Sequence, residues 1–313
     1  MYGPTVYNKD QRAWTLLFCP LVLVIYCKMK CVKEDTMKRK PIVALIYDFD
    51  GTLSPGNMQE FGFIQAIGST PEEFWSMSDG IAKGQDASNI LAYMKLMFDE
   101  ARRHGIKLRR SEFKNFGKHI EFFEGVKTWF KAVNNYGAEH GVRVEHYINS
   151  SGLKEIIEGT PIAHEFKHIF ACTYLYNEAG EAEWPGIAVD YTAKTQFMFK
   201  INKGIFSSRD SKRVNESTSD EKKRIPFPQM IYFGDGETDI PCMKIVTMFG
   251  GNCIAVYNPE KPEKRQIAEK LKKQGRVTFT APARYTTDSK AFRIVCSIID
   301  KIRVEKDLKR LAK

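Results

Sequence analysis

Cysteine is sparse in this sequence, and its arrangement excludes two chemistries. Seven cysteines are scattered over 313 residues, an odd number without a Cys-x-x-Cys pair. A disulfide framework and a cysteine-based zinc site both need more regular spacing, so the usage reads as that of a reduced, cytoplasmic protein. Histidine is equally thin. None of His104, His119, His140, His146, His164 and His168 has ligand spacing near an acidic loop, and none is given a site role. Long apolar runs are also wanting. Trp14 to Cys27 is 14 residues without a charge, against about 20 for a membrane span. It is followed by Lys28, Lys30 and Lys33, with no small-x-small cleavage site. Residues 1–40 therefore read first as an extension without a role in the fold, then as a weak membrane anchor through residues 14–27, then as a signal peptide. Met37, directly before the first strand, is a candidate natural start.

Acidic charge is in deficit, with a net charge of +10, but the excess is local. Residues 1–40 carry +5 and residues 300–313 carry +3, which leaves +2 for everything between. A basic surface confined to the tails argues against nucleic acid as a partner of the main domain. Apolar content of 43% and charged content of 27% are those of an ordinary globular chain. The length suits one large domain with a smaller one attached.

The chain is organised around Asp48-Phe49-Asp50-Gly51-Thr52. The preceding Ile42-Val43-Ala44-Leu45-Ile46-Tyr47 has no charge and is rich in β-branched residues, as expected of a strand buried on both faces. At a strand end, positions i and i+2 point the same way, so Asp48 and Asp50 can share one pocket. Two carboxylates this close call for a cation or a proton between them. A hard divalent ion with oxygen ligands, Mg2+, is the economical solution. Gly51 permits a sharp turn and lets backbone N–H groups approach an anion. The plain alternative, a surface turn, is disfavoured by the buried strand in front, because open parallel sheets place their sites at strand C-termini.

From Met58 to about Lys118 the pattern is helical. Ser69-Thr70-Pro71-Glu72-Glu73 reads as a helix start, and Asp86 as the cap of a helix running through Arg103. An insertion of this size is too long for a loop and reads as a small helical cap domain. A helix after Gly125 leads to a second strand, Val142–Ile148. At its tip Asn149-Ser150-Ser151-Gly152 offers hydroxyl and N–H donors suited to a phosphate, or a simple helix cap. Ile169–Tyr176 is strand-like and Thr195–Lys203 helical, with Lys194 and Lys203 the basic residues of interest. Ser207–Lys223 reads as a flexible loop. A strand at Gln229–Phe233 is followed by Gly234-Asp235-Gly236-Glu237-Thr238-Asp239, a second acidic, glycine-bearing loop after an apolar strand. Asp235 and Asp239 can complete a cation site with Asp48. Strands at Cys253–Tyr257 and near Val277–Phe279 and helices at Lys261–Gln274 and Ser289–Leu311 finish the chain.

Four motifs in order, namely Asp48-Phe49-Asp50-Gly51-Thr52, Ser150 at a strand end, Lys203-Gly204 and Gly234-Asp235-Gly236-Glu237-Thr238-Asp239, resemble those of the haloacid dehalogenase-like (HAD) hydrolase superfamily. The resemblance covers about residues 42–300 and looks most like the phosphoserine phosphatase branch. It implies an α/β fold, with a Rossmann-like three-layer α/β/α parallel-sheet core at 41–54 and 120–302. A helical C1-type cap would occupy 55–119, after the first strand, and a basic tail 303–313. The implied activity is Mg2+-dependent hydrolysis of a small phosphorylated metabolite. Asp48 would be the nucleophile, forming a phosphoaspartyl intermediate, and Asp50 the general acid and base. Ser150 and Lys203 would bind the phosphoryl group, with Gly51, Thr52, Ser151 and Gly152 completing the cradle. The metal would be held by Asp48, the Asp50 carbonyl and Asp235 directly, and Asp239 would bind it through water or orient Lys203. Ser151 competes with Ser150, and Lys194 with Lys203. The Ser-Ser-Gly match favours Ser150, and the following Gly204 favours Lys203. Phosphoserine phosphatases carry a glutamate nine residues after the nucleophile to meet the substrate amine. Here that position is Asn57, with Glu60 nearby, so phosphoserine is not carried over as substrate. A phosphomutase and a non-catalytic binding protein on the same fold are the alternatives.

Overall fold

The computed structural model describes residues 40–219 and 222–312. The expectations for residues 1–39 lie outside these. Among the described residues there are seven strands: β1 (Ile42–Tyr47), β2 (Arg143–Leu153), β3 (Phe166–Tyr176), β4 (Ala182–Ile187), β5 (Met230–Gly234), β6 (Asn252–Tyr257) and β7 (Phe279–Pro282). They form one sheet in the order β4-β3-β2-β1-β5-β6-β7. Every neighbouring pair is parallel except β3 with β4. β1 lies at the centre, paired with β2 from Ile42↔Arg143 to Tyr47↔Ile148 and with β5 from Ala44↔Met230 to Tyr47↔Phe233. That position explains its uncharged sequence, since both faces are covered and Val43 to Tyr47 have no exposed surface. The strand order reverses between β1 and β5, and in open parallel sheets a site opens at such a reversal, beyond the strand C-termini.

Eleven α-helices are described: α1 (Phe63–Ala66), α2 (Pro71–Gly84), α3 (Asn89–Arg103), α4 (Arg110–Gly117), α5 (Val126–Glu139), α6 (Lys154–Glu158), α7 (Ala193–Lys203), α8 (Ser211–Asn215), α9 (Ile240–Met248), α10 (Pro262–Lys273) and α11 (Lys290–Leu311). Two separate groups pack on the sheet, α5 with α11 and α7 with α9. This is the expected α/β class with a mostly parallel sheet. Behind β1, a buried polar chain links the sheet to α5. Trp129 Nε1 donates to Tyr47 Oη at 2.8 Å, Tyr47 Oη donates to His146 Nδ1 at 3.0 Å, and His146 Nε2 lies 3.1 Å from Asn134 Oδ1.

The helices α1 to α4 fill the insertion between β1 and α5. α2 begins as its sequence indicates: Glu73 N donates to Thr70 Oγ1 at 3.2 Å and Thr70 N to the Glu73 carboxylate at 3.1 Å. The next helix differs in its cap. Ser88, not Asp86, accepts from Leu91 N, and Asp86 instead takes a left-handed turn at φ +47°. α4 packs closely on α6. A Cβ added to Gly117 would lie 2.1 Å from the Ile156 carbonyl oxygen, and one added to Gly159 would lie 2.0 Å from that of Lys114. Phe113 stacks on Tyr174 at 5.5 Å, and Arg110–Glu155 and Lys114–Glu158 ion pairs flank the seam. The ends of the insertion meet where Phe123 N donates to Leu53 O at 3.0 Å.

Four further local readings change. β4, with Glu183, Pro185 and Gly186, is a hairpin partner of β3 that the sequence does not announce; proline fits there because the strand is at the sheet edge. The strand near Val277 lies at Phe279–Pro282. The polar stretch after Ser207 contains α8, capped where Asp210 Oδ1 accepts from Arg213 N. β2 runs past its expected end at Ile148 to Leu153, whereas α11 reaches Leu311 as expected. The described cysteines, Cys172, Cys242, Cys253 and Cys296, are free and buried. Among the described residues, no helix is long and apolar enough to cross a membrane.

Candidate active site

Asp48 follows directly from β1, and its N–H donates to Phe233 O of β5 at 2.9 Å, which ties the two strand ends together. The chain then turns tightly. Thr52, Leu53 and Ser54 N–H groups all lie on Phe49 O, and Gly51 adopts φ +73°. Only glycine fits at 51. A Cβ there would sit 2.4 Å from the Asp235 carboxylate, so the two acidic loops are in van der Waals contact.

Three buried carboxylates converge at this junction. One oxygen from each of Asp48, Asp235 and Asp239 lies within 4.8 Å of the others. Lys194 Nζ lies among them, 3.0 Å from Asp48 Oδ2 and 2.8 Å from Asp239 Oδ1. Asp239 Oδ1 also accepts from Tyr232 Oη at 2.7 Å. Asp48 Oδ1 accepts from Phe49 N at 2.8 Å. Burial and the negative charge of Asp239 push the Asp48 carboxyl up to about 7, against the opposing pull of Lys194. Burial pulls the Lys194 ammonium down, but Asp239 and Asp48 outweigh it, and the group is held charged. Asp235 is raised by burial, offset by Lys264 at 3.0 Å.

Asp50 lines the same cavity as Asp48 but its carboxylate is not one of these three. Its Oδ1 accepts from Met58 N at 2.9 Å, and the space beside Oδ2 is open only because residue 152 is glycine. Burial, with the charge of Asp48 second, raises its carboxyl well above the ordinary range. A carboxyl raised in this way keeps its proton to higher pH than usual, which suits it to donate one.

Ser150 and Gly152 lie in the last residues of β2, where the pairing with β3 slips between Asn149 and Leu153. Ser150 Oγ is buried and accepts from Gly152 N at 3.0 Å. Ser151 Oγ is buried without a partner. Both serines and Gly152 line a cavity of about 460 Å³ that Asp48, Asp50 and Gly51 also line. Thr52 is different. It is fully buried, does not line the cavity, and its carbonyl accepts from Tyr285 Oη at 2.7 Å.

The expected phosphate lysine, Lys203, is not in this site. Its ammonium donates to Val214 O at 2.6 Å and Glu216 O at 2.5 Å, holding the end of α8. The reason is the helix itself. Lys194 and Lys203 are nine residues apart, which displaces Lys203 by about 13 Å along α7. The sequence held a signal for the right choice. Lys194 shares a buried face with Phe197, Met198 and Ile201, at i+3, i+4 and i+7, and a lysine on an apolar stripe requires a buried anion. α7 starts early enough to include it because Asp190 Oδ1 accepts from the N–H groups of Thr192 and Ala193.

The acidic set fits a hard divalent cation. All its donors are carboxylate oxygens, and they converge with three negative charges against the one of Lys194. The Asp50 side chain is not part of that set.

The sequence profile of the haloacid dehalogenase-like hydrolases matches residues 45–244, and the chain belongs to this family. An uncharacterised protein of Borreliella burgdorferi (strain ATCC 35210) is 29% identical over 282 residues, covering 82% of this chain and 95% of its own. Among solved structures, a probable phosphoserine phosphatase from Vibrio cholerae in unliganded form matches with a TM-score of 0.54 at 10% identity. The match covers 90% of this chain and 73% of that one. A substrate-bound phosphoserine phosphatase matches at a TM-score of 0.48 and 17% identity, over 72% and 91% of the two chains.

Proposed function

We propose that the protein is a Mg2+-dependent phosphatase of small phosphate monoesters that works through a phosphoaspartyl intermediate on Asp48. The observation that carries the reading is the pair Asp48 and Asp50 lining one cavity, with the buried Lys194 and Asp239 directly behind Asp48. In this reading, Asp48 Oδ2 attacks phosphorus and its bond to the leaving oxygen breaks. Lys194 is fixed by Asp239, which Tyr232 holds in turn, so it meets the charge that develops on the phosphoryl oxygens without reorganising. Ser150 and the N–H groups of Ser151 and Gly152 close the other side of the cradle. Asp50 gives its proton to the departing alkoxide, then takes one from the water that cleaves the acyl phosphate, which restores Asp48. Asp48 and Asp235 would hold the cation, whose contribution when bound is to offset the repulsion between the carboxylates and the phosphate.

The cavity volume suits a small metabolite. Gln59 and Glu60 are among its lining residues. Glu60 Oε1 is held by Asn57 Nδ2 at 2.7 Å and Trp75 Nε1 at 2.8 Å, whereas Gln59 Oε1 is buried without a partner. These acceptors favour an alcohol that carries hydrogen-bond donors.

The test is phosphate release by the purified chain from an aryl phosphate and a panel of phosphate monoesters, with Mg2+ and with chelator. Turnover that requires Mg2+ and disappears in Asp48→Asn is the expected result. A folded, metal-bound protein inert on every ester would sink the proposal.

A further inference from the structure

Two lysines serve the acidic cluster, and their settings differ. Lys194 has no exposed surface and bridges two carboxylates. Lys264 makes one ion pair, with Asp235 Oδ2 at 3.0 Å, and its side chain remains 39% exposed. It occupies the third position of α10, after Lys261 at the cap and Pro262 at the first. Two cations at a helix N-terminus oppose the helix dipole, so local structure gives no reason for a lysine there. Asp235 cannot retreat from it, because the Gly51 backbone abuts its carboxylate. Of the two partners, the lysine has far more solvent to move into, with the Asp235 side chain only 11% exposed.

We propose that Lys264 is a placeholder charge. It neutralises Asp235 while the cluster holds no metal, and it gives way when a divalent cation takes that carboxylate. This rests on the reading of Asp48 and Asp235 as metal ligands. A cation must displace the ammonium from Asp235 before the carboxylate is free to ligate, so Lys264 weakens metal binding while it steadies the metal-free protein. Lys194 has no such freedom and keeps its partners throughout. Lys264 is in this sense a positioning residue that sets how much metal the site demands.

The test is calorimetric titration of the full chain with Mg2+, alongside thermal melts in chelator and in saturating Mg2+. Lys264→Met should bind Mg2+ about two- to fivefold more tightly, as expected for loss of a partly exposed competing ion pair. Its melting temperature should fall in chelator but not in Mg2+. Lys264→Gln should behave alike without adding an apolar side chain, and Lys264→Arg should stay close to the parent. Lys261→Met, at the cap and without an ion pair to Asp235, should leave the affinity unchanged. Equal or weaker binding in both Lys264→Met and Lys264→Gln would overturn the placeholder role. So would equal tightening in Lys261→Met, which would indicate only the general field of the helix end. A parent protein that binds no Mg2+ would remove the metal site itself, and with it the proposed function.

Discussion

The choice between two lysines nine residues apart carries the chemistry of the proposed site. Lys194 is enclosed by Asp48 and Asp239, whereas Lys203 is spent on two loop carbonyls. Replacing Lys194 with Met should therefore lower kcat by about a hundredfold or more, the scale of losing one preorganised charge at a phosphoryl group. Lys203→Met should leave kcat within about twofold of the parent and lower stability by about 1 kcal/mol through loss of hydrogen bonds to α8. Steady-state rates and urea unfolding of the two variants separate the outcomes, and equal loss of turnover in both would refute the assignment. Asp48, Asp50, Asp235 and Asp239 were legible because each acidic loop directly follows a short apolar strand, and those strands are neighbours in the sheet. The lysine was not legible from its flanking glycine. Gly204 serves the helix end, at φ +72°, and the informative feature was the apolar face that Lys194 shares with Phe197, Met198 and Ile201.

Elements were legible where burial pattern and end signals agreed, as in β1, α2 and β5. They were obscure where a tertiary partner decides the matter. β4 forms because β3 offers it an edge, although Pro185 and Gly186 suit a strand poorly on their own. α4 was expected to belong wholly to the cap, yet it lies backbone to backbone against α6. That seam depends on Gly117 and Gly159. Gly159→Ala should destabilise the protein by about 1–3 kcal/mol, since the added carbon meets the Lys114 carbonyl and backbone has little room to yield. Chemical denaturation measures this directly, and a neutral result would mean that the α4–α6 approach is looser than described. If α4 is fixed in this way, closure over the cavity falls to α2 and α3. Amide exchange with and without a phosphate analogue should then change in Pro71–Arg103 and stay constant in Arg110–Gly117.

At the scale of the whole molecule, the buried chain from Trp129 through Tyr47 and His146 to Asn134 ties stability to pH. Burial lowers the His146 pKa to about 3, from an unfolded value near 6.5. Between those values the unfolded chain binds a proton that the folded protein refuses. Stability therefore falls as pH drops below about 6.5, with a slope approaching 1.4 kcal/mol per pH unit, and levels off below about 3. His168, lowered to about 4 by burial, adds to the same trend. The difference in unfolding free energy between the parent and His146→Gln should shrink steadily from pH 7 to pH 4. A constant difference would show that His146 takes up its proton in the folded state. The sheet order and the meeting of β1 with β5 set all of this in place, and the insertion does not interrupt them. Its two ends are joined by the Leu53–Phe123 hydrogen bond, so the chain leaves the core and returns at one point. For an engineer or a lineage, that makes the stretch behind α2 and α3 an exchangeable cassette. New selectivity can be tried there by grafting or recombination, while the core segments that carry Asp48, Ser150, Lys194 and Asp235 are inherited unchanged.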